Sequence, residues 1–131
     1  MIDHLGLDVR DLKISKDFYA RILAPLGYKL LKEFPASMTG NVDVVGFGVE
    51  PKADFWLAQS SGEMSPLHLH IAFLASSREI VDAFYEAGLA AGGKDNGPPG
   101  VREIYHPDYY GAFILDPDGH NIEAVCHKKV K

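Results

Sequence analysis

The sequence predicts an α+β fold made of two consecutive βαβββ modules, and three observations indicate it. The chain matches itself when displaced by 66 positions, which places His4 on His70 and Phe18 on Phe84. Each half begins with alternating apolar and polar residues, as in a strand with one buried face. Each such run is followed by apolar residues at helical spacing and then by three shorter strand candidates. We therefore expect a single domain over residues 1–131, with modules at about 1–60 and 67–127 that form a curved mixed sheet.

The first module opens with a predicted strand over residues 2–9. A helix follows, because Ile14, Phe18 and Ile22 recur at four-residue intervals and form one apolar stripe. Gly27, and Gly93 in the second module, are predicted to end the two helices, since glycine accepts left-handed backbone. The remaining strands of this module are predicted at residues 28–34, 42–49 and 53–58.

The second module repeats this order, with strands predicted at residues 67–75, 101–106, 111–115 and 121–127. Residues 94–100, which include Asn96-Gly97-Pro98-Pro99-Gly100, are predicted to form a loop that acts as a lid or a spacer. Asp116-Pro117-Asp118-Gly119 predicts a turn, and His120 after it is expected to be solvated. Trp56 aligns with Ile122 at the same displacement and is expected to face the helix.

Composition and charge exclude several classes of protein. The apolar fraction of 47% and the charged fraction of 24% are typical of globular domains. A net charge of −5 argues against a nucleic-acid partner, because such binding depends on Lys and Arg neutralising phosphates. The sequence has neither an apolar run long enough to cross a bilayer nor a signal-peptide pattern, so no membrane partner and a cytoplasmic location are expected. Cys126 is the single cysteine, which excludes an intramolecular disulfide.

Three polar side chains share one predicted face of the sheet. Apolar residues alternate along the first, fifth and last strands, which turns His4, His70 and Glu123 away from the helices. Two neutral imidazoles and one carboxylate form a set that binds Fe(II), Mn(II), Zn(II) or Ni(II) and leaves positions open to substrate. A divalent metal ion, Zn, Ni, Mn or Fe, is therefore the predicted cofactor.

A simpler interpretation of each residue is that it is an ordinary exposed polar side chain. The pseudo-symmetric pair of histidines together with a carboxylate of matching parity favours the metal site instead. Displacing Glu123 by 66 positions lands on Leu57, so the first half lacks a matching carboxylate. A fourth protein ligand requires Gln59 to stand in, and a site with three ligands is favoured.

Three motifs follow one another along the chain. They are Asp3-His4-Leu5-Gly6-Leu7 with Phe18-Tyr19, then His70-Ile71-Ala72-Phe73, and finally Asp116-Pro117-Asp118-Gly119-His120-Asn121-Ile122-Glu123. In these motifs the chain resembles the vicinal-oxygen-chelate superfamily of glyoxalases, extradiol dioxygenases and bleomycin resistance proteins. The resemblance implies that His4, His70 and Glu123 bind the metal. Glu123 is also predicted to be a catalytic residue. Glyoxalase I usually draws a fourth ligand from its first half, and Leu57 departs from that pattern.

Other polar residues of the second half complete the predicted site. His68 lies on the same face, where it is a candidate base, a donor to a ligand, an alternative ligand, or a polar residue at the rim. Tyr110 is a candidate donor to a developing oxyanion, although aromatic packing at a strand entry explains Tyr109 and Tyr110 more simply. Substrate contacts are predicted for Arg102, His106 and Tyr109, with the arginine suited to a carboxylate.

Two functions fit these residues best. The first is a metal-dependent lyase, isomerase or dioxygenase acting on a small substrate with vicinal oxygens. The alternative is a non-catalytic protein of the bleomycin-resistance type, which holds a small molecule in the same cup. A third interpretation makes the residues relics in a structural subunit. A homodimer is expected in each case, since two βαβββ units often complete their cups by pairing sheets, sometimes across chains.

Overall fold

The computed structural model describes residues 1–130, and Lys131, the last residue of the predicted domain, lies outside the described residues. The chain divides into two compact units, of which the first is Met1–Leu67 and the second begins at His68. Within residues 1–130, none of the helices combines the length and the apolar character needed to span a membrane. That the two units act as one domain stays a prediction.

Unit 1 contains one βαβββ module. Its elements are β1 (Leu5–Val9), α1 (Leu12–Leu23) with a 3-10 turn (Ala24–Leu26), β2 (Lys29–Phe34), a short α2 (Ala36–Thr39), β3 (Val44–Val49) and β4 (Lys52–Gln59). The strands form a four-stranded sheet in the order β1-β4-β3-β2. β1 runs parallel to β4, and the other neighbours are antiparallel.

Unit 2 repeats the same topology. Its elements are β5 (His70–Leu74), α3 (Arg78–Ala90), β6 (Lys94–Val101), β7 (Tyr110–Leu115) and β8 (Asn121–Cys126). The sheet order is β5-β8-β7-β6, again with one parallel pair, β5 with β8. The predicted α+β class with two βαβββ modules is therefore confirmed.

Each long helix begins with a side-chain cap and buries one face. The Asp11 carboxylate accepts from the Ile14 amide, and the Ser77 hydroxyl accepts from the Ile80 amide, both at 3.2 Å. Behind these caps, the large buried side chains of the helices are those of Phe18, Tyr19, Ile22, Leu23, Val81 and Phe84. These residues are apolar or aromatic and recur at helical spacing, so the helices are held mainly by packing.

The predicted strand at residues 101–106 and the predicted loop at residues 94–100 are both wrong. The strand is β6, Lys94–Val101, and turns follow it. β6 lies at the edge of its sheet, and its register with β7 shifts around Gly97 and Gly100. An edge strand with bulges tolerates prolines because their missing N–H groups are not needed for pairing, which explains Pro98 and Pro99 in a strand.

Two further expectations are off by one residue. The left-handed position after α3 is taken by Gly92, with φ of 95°, rather than by Gly93. Gly6 and Ala72 are equivalent positions of the two opening strands. Gly6 pairs with Trp56 and Ala72 pairs with Glu123, so the residue of unit 1 that corresponds to Glu123 is Trp56 rather than Leu57. Unit 2 therefore has one more residue than unit 1 between its first and last strands.

Trp56 consequently does not face α1 as expected. Its neighbours along β4, Phe55 and Leu57, are buried in the core at 1% and 0% exposure. Trp56 points to the other face, where its ring stacks on Phe34 with centroids 5.9 Å apart and planes 18° from parallel. The aromatic side chain thus fills in unit 1 the place that a carboxylate takes in unit 2.

Candidate functional site

The candidate site in unit 2 lies on the face of the sheet opposite α3. The Tyr110 hydroxyl donates to Asp82 of α3 at 2.6 Å, and Ile114 lies against Gly88 of the same helix. Because strand residues alternate between faces, Gly111 and Phe113 turn to the opposite face. Phe113 pairs directly with Glu123, which therefore lies on that face as well.

Glu123 is a buried carboxylate with a partner on each oxygen. Its side chain is 1% exposed, and its Oε1 lies 2.9 Å from Nε2 of His70. Its Oε2 accepts a hydrogen bond from the Tyr109 hydroxyl. Burying a carboxylate is costly unless both oxygens are paired, and these two contacts meet that requirement. A Cβ on Gly111 would approach Glu123 Oε2 to 3.2 Å, so glycine there leaves room for the Tyr109 contact.

The His70 and Glu123 atoms fit two adjacent ligands of a divalent ion. Donors that bind an ion at about 2.1 Å and at right angles are separated by about 3 Å. The observed 2.9 Å between His70 Nε2 and Glu123 Oε1 is close to that value, and the His70 side chain is 53% exposed. Within residues 1–130, however, no group of three or more His, Cys, Asp or Glu is gathered closely enough to hold a metal. Unit 2 therefore supplies two donors rather than a complete site.

Tyr109 is held as a hydrogen-bond donor by its surroundings. Burial raises the pKa of the Tyr109 hydroxyl, and its hydrogen bond to Glu123 raises it further. The hydroxyl therefore stays protonated around neutral pH. The ring packs against three other rings, those of Tyr105, His127 and His106, at centroid distances of 4.8, 5.3 and 5.5 Å.

His106 and His127 form a hydrogen-bonded pair beside Tyr109. The Nδ1 atom of His106 accepts from the Asp108 amide at 3.1 Å, which assigns the ring proton of His106 to Nε2. That Nε2 lies 2.8 Å from Nδ1 of His127. The predicted substrate contact His106 is thus part of the support of the Tyr109 ring.

Arg102 anchors the end of β6 near Phe113. Its guanidinium donates to the carbonyls of Gly100 at 2.8 Å and Pro98 at 2.6 Å. The guanidinium carbon lies 5.5 Å from the centre of the Phe113 ring, which is 6.2 Å from the His70 ring. Arg102 and His70 are therefore both neighbours of the Phe113 ring, and two N–H groups of Arg102 bind the backbone.

His68 and His120 lie side by side ahead of β5, with ring centroids 5.9 Å apart. His68 is exposed, whereas His120 is 6% exposed and its Nδ1 accepts from the Leu69 amide at 2.9 Å. The expectation that His120 is solvated is wrong, because a backbone amide there requires an acceptor.

In unit 1, His4 precedes β1 and contacts the neighbouring Asp3. Its Nδ1 lies 2.6 Å from Asp3 Oδ2, and the Lys52 ammonium binds the other oxygen of Asp3. Lys52, and to a smaller extent His4, hold the pKa of the Asp3 carboxyl below its usual value. A carboxylate on Nδ1 leaves Nε2 as the unprotonated nitrogen, which is the arrangement common in metal-binding histidines. The His4 side chain is 61% exposed.

Gln59, the predicted stand-in for a fourth ligand, is committed to the backbone. Its Oε1 accepts from the Leu12 amide at 2.9 Å, and its Nε2 donates to the Arg10 carbonyl at 2.8 Å. The side chain thus caps the first turn of α1.

Sequence reasoning did not single out Gly111 or His127. Strand parity on β7 places Gly111 on the same face as Glu123, and this alternation was the sequence signal that could have identified it. The contact between His127 and His106 joins the end of the chain to a turn 21 residues earlier, and no local pattern predicts it.

A family model described as the Glyoxalase/Bleomycin resistance protein/Dioxygenase superfamily matches residues 1–124. A comparison with curated proteins found no match. Among solved structures, the chain is similar to a glyoxalase/bleomycin resistance protein from Albidiferax ferrireducens. The two are 30% identical with a TM-score of 0.78, over 94% of this chain and 96% of that one.

Two more distant structures share the fold. A glyoxalase I variant from Zea mays is 22% identical with a TM-score of 0.73, over 98% of this chain and 45% of that one. A variant of the fosfomycin resistance protein FosX from Listeria monocytogenes, in complex with Mn(II) and a dihydroxypropylphosphonic acid, is 20% identical with a TM-score of 0.69. This match covers 98% of this chain and 92% of that one.

Proposed function

The chain belongs to the Glyoxalase/Bleomycin resistance protein/Dioxygenase superfamily, and on that premise we propose that it is a divalent-metal-dependent enzyme acting on a small substrate with vicinal oxygens. The proposed reaction class is that of a lyase, an isomerase or a dioxygenase. The observation that carries the proposal is the buried Glu123 carboxylate 2.9 Å from His70 Nε2. A homodimer in the cytoplasm is part of the proposal.

We propose His4, His70 and Glu123 as the metal ligands. Glu123 Oε1 and His70 Nε2 are the donor atoms of unit 2, and Nε2 of His4 is the donor of unit 1. The contact between His4 Nδ1 and Asp3 supports this choice, because it leaves Nε2 unprotonated. Two imidazoles and a carboxylate suit Zn, Ni, Mn or Fe. When bound, such an ion supplies Lewis acidity to a chelated pair of oxygens.

The surrounding residues have distinct proposed roles. The Tyr109 hydroxyl holds Glu123 Oε2, so the oxygen proposed as the metal ligand is Oε1, which lies 2.9 Å from His70 Nε2. Arg102, near Phe113, is proposed to bind an anionic part of the substrate, and exposed His68 stays a candidate base. Tyr109 is the tyrosine that we propose for this site, since the hydroxyl of Tyr110 is bound to Asp82 of α3.

One relative supports the ligand class. The FosX structure holds Mn(II) together with a phosphonic acid that carries two adjacent hydroxyl groups. A ligand with neighbouring oxygen atoms is therefore bound by a protein of this fold. At 20% identity the likeness concerns the fold, so the substrate of this chain is proposed from its own residues.

A second candidate function is metal-free binding of a small molecule, as in bleomycin resistance proteins. The observation that favours it is that residues 1–130 contain no group of three donors in place for a metal. The half-buried rings of Tyr109 and Phe113 beside Glu123 provide apolar contact area for such a ligand.

Metal analysis separates the two functions. We expect protein purified without oxygen to contain about one divalent ion per chain and to gain thermal stability when Mn, Fe, Ni or Zn is added. His70→Ala and Glu123→Ala should lose both the ion and the stabilisation, whereas the control Glu86→Ala, at an exposed carboxylate of α3, should keep them. Wild-type protein that contains no ion and shows no stabilisation by any of these metals contradicts the proposal.

Turnover then tests catalysis itself. A panel of small substrates with adjacent oxygens should reveal an activity that requires the identified metal. His70→Ala should abolish that activity while circular dichroism shows a folded protein. Tight binding of a panel compound without metal and without turnover would instead establish the second candidate function.

A further inference from the structure

A cavity of about 630 Å³ lies in unit 2 between the first turn of α3 and the residues that follow β8. Three basic side chains line it, Arg78, Lys128 and Lys129, against one acidic side chain, Glu79. This local excess of positive charge occurs in a chain of net charge −5. We propose that the cavity binds a small dianionic oxyanion, such as the phosphate group of a metabolite. This site is separate from the face that carries Glu123.

Arg78 is the basic residue that α3 contributes to the lining of the cavity. Its guanidinium carbon lies 4.9 Å over the Tyr110 ring, and its Nε is buried without a hydrogen-bond partner. A buried N–H of a charged group that has no acceptor costs free energy, because that N–H has lost its contact with water and gained no partner. An oxyanion provides several acceptors and a compensating charge, and arginine matches its geometry.

The equivalent place in unit 1 shows what unit 2 lacks. There the start of α1 is served by the Asp11 carboxylate and by Gln59 Oε1, which accepts from the Leu12 amide at 2.9 Å. In unit 2, the neutral Ser77 takes the cap position of Asp11, and Arg78 takes the first helical position of Leu12. Cys126, whose thiol is buried, takes the place of Gln59 at the end of the last strand.

Unit 1 thus places a carboxylate oxygen of Asp11 and the amide oxygen of Gln59 at the N-terminus of α1, where negative charge is favoured. Unit 2 places a hydroxyl, a thiol and cations there. A bound oxyanion supplies the oxygens that the sequence of unit 2 omits.

The matching cavity of unit 1, about 380 Å³, is an internal control. Its lining includes three acidic residues, Asp11, Glu33 and Asp43, and two basic residues, Lys13 and Lys16. Lys16 already pairs with Glu33 at 2.9 Å. The basic side chains are therefore outnumbered, and no anion is expected there.

The test is a nuclear magnetic resonance titration with inorganic phosphate at mildly alkaline pH, where phosphate is mostly a dianion. No metal is added, and sodium chloride keeps the ionic strength constant. We expect saturable shifts at the backbone amides of residues 77–80 and 128–129. Arg78→Gln should raise the Kd by at least about tenfold. The matched control Lys13→Gln, which removes one positive charge from unit 1, should leave the Kd within about twofold.

Three results would overturn the proposal. The first is the absence of saturable shifts with phosphate. The second is an equal response to acetate, because a monoanion does not balance this charge. The third is an equal loss of affinity in Lys13→Gln and Arg78→Gln, which would indicate a general charge effect. If Arg78→Gln does not fold, Lys128→Gln replaces it, since Lys128 lies outside every helix and strand.

Discussion

Glu123 illustrates at the residue scale how a strand holds a functional carboxylate. The side chain is 1% exposed because His70 and Tyr109 each contact one of its oxygens and Gly111 leaves space beside it. A carboxylate without such partners would be costly in this place. The same contacts orient Oε1 toward the proposed metal site. They therefore both stabilise the buried carboxylate and position it as a ligand.

Tyr109→Phe tests this arrangement. The variant removes the donor to Glu123 Oε2, so we expect about 1 kcal/mol lower stability in urea denaturation. Metal affinity in calorimetry should fall by about tenfold, because the ligand is no longer oriented. Tyr105→Phe is the matched control, since Tyr105 packs on the same ring but is 63% exposed. Equal metal affinity in wild type and Tyr109→Phe would remove Tyr109 from the site.

Gly111→Ala tests the space beside Glu123. The added Cβ meets Glu123 Oε2 and Tyr109 Cε1, each at 3.2 Å, so one of them has to move. We expect a loss of about 1–3 kcal/mol of unfolding free energy. Gly62→Ala serves for comparison, since a Cβ there meets nothing within 4 Å. Similar urea midpoints for the two variants would show that the close approach at Gly111 has no energetic cost.

At the scale of elements, the starts of the helices and the contacts between helix and sheet decide local stability. The end of β4 is tied to the start of α1 through Gln59, and α3 is tied to β7 through Asp82 and Tyr110. Both ties join segments far apart in sequence, so each holds its unit together across the sheet.

Gln59→Met separates capping from metal binding. The change removes the acceptor of the Leu12 amide and one donor to the Arg10 carbonyl, so we expect a loss of about 1–2 kcal/mol of unfolding free energy. Metal affinity should remain that of the wild type, because the Gln59 amide is committed to the backbone. Weaker metal binding in this variant would restore Gln59 as a ligand.

The contact between α3 and β7 predicts that the fold loses stability at alkaline pH. Burial, followed by the hydrogen bond to Asp82, raises the pKa of Tyr110 to about 12. A raised folded pKa means that the folded state holds the proton more tightly than the unfolded chain. This stabilisation is present below about pH 10, the unperturbed value, and is lost as the pH rises toward 12.

We therefore expect the free energy of unfolding to fall across this alkaline range. Tyr110→Phe should show a shallower fall, and Asp82→Asn an intermediate one, because asparagine keeps an acceptor without the charge. Some fall remains in both variants, since burial and Asp54 raise the pKa of Tyr28 to about 12 as well. Urea denaturation at a series of pH values measures the slopes, and identical slopes for wild type and Tyr110→Phe would refute the assignment.

At the scale of the whole molecule, the proposed metal site draws on both units, with His4 in unit 1 and His70 and Glu123 in unit 2. A homodimer allows these donors to come from different chains. Mixing the two variants His4→Ala and Glu123→Ala distinguishes the possibilities, because a mixed dimer with shared sites has one intact site and one empty site.

For sites shared between chains, an equal mixture should recover about one quarter of the metal bound by the wild type, since half of the dimers are mixed. For sites within one chain, the mixture should bind no more metal than its components. The two variant dimers are dissociated, mixed and allowed to reassociate, and elemental analysis then measures the metal bound per chain. A monomer in sedimentation would rule out sharing and the dimer together.

The sequence by itself predicted the duplicated βαβββ order and the faces of the short strands. Alternation and helical spacing are local properties, so β1, β5, β7 and β8 and the helix stripes follow from neighbouring residues. The place of Glu123 on the strand face opposite Ile122 and Ala124 follows for the same reason. The ligand set of His4, His70 and Glu123 stays a prediction at this level.

Only the tertiary structure decided the details that depend on pairing between strands. Backbone partners distant in sequence decide three of these details. They are the face on which Trp56 lies, the formation of β6 from a Pro-rich stretch, and the burial of His120. The Tyr109 contact with Glu123 likewise requires a turn to fold back on β8. Local pattern cannot encode such partners, because register is fixed by the hydrogen bonds and side-chain packing of the assembled sheet.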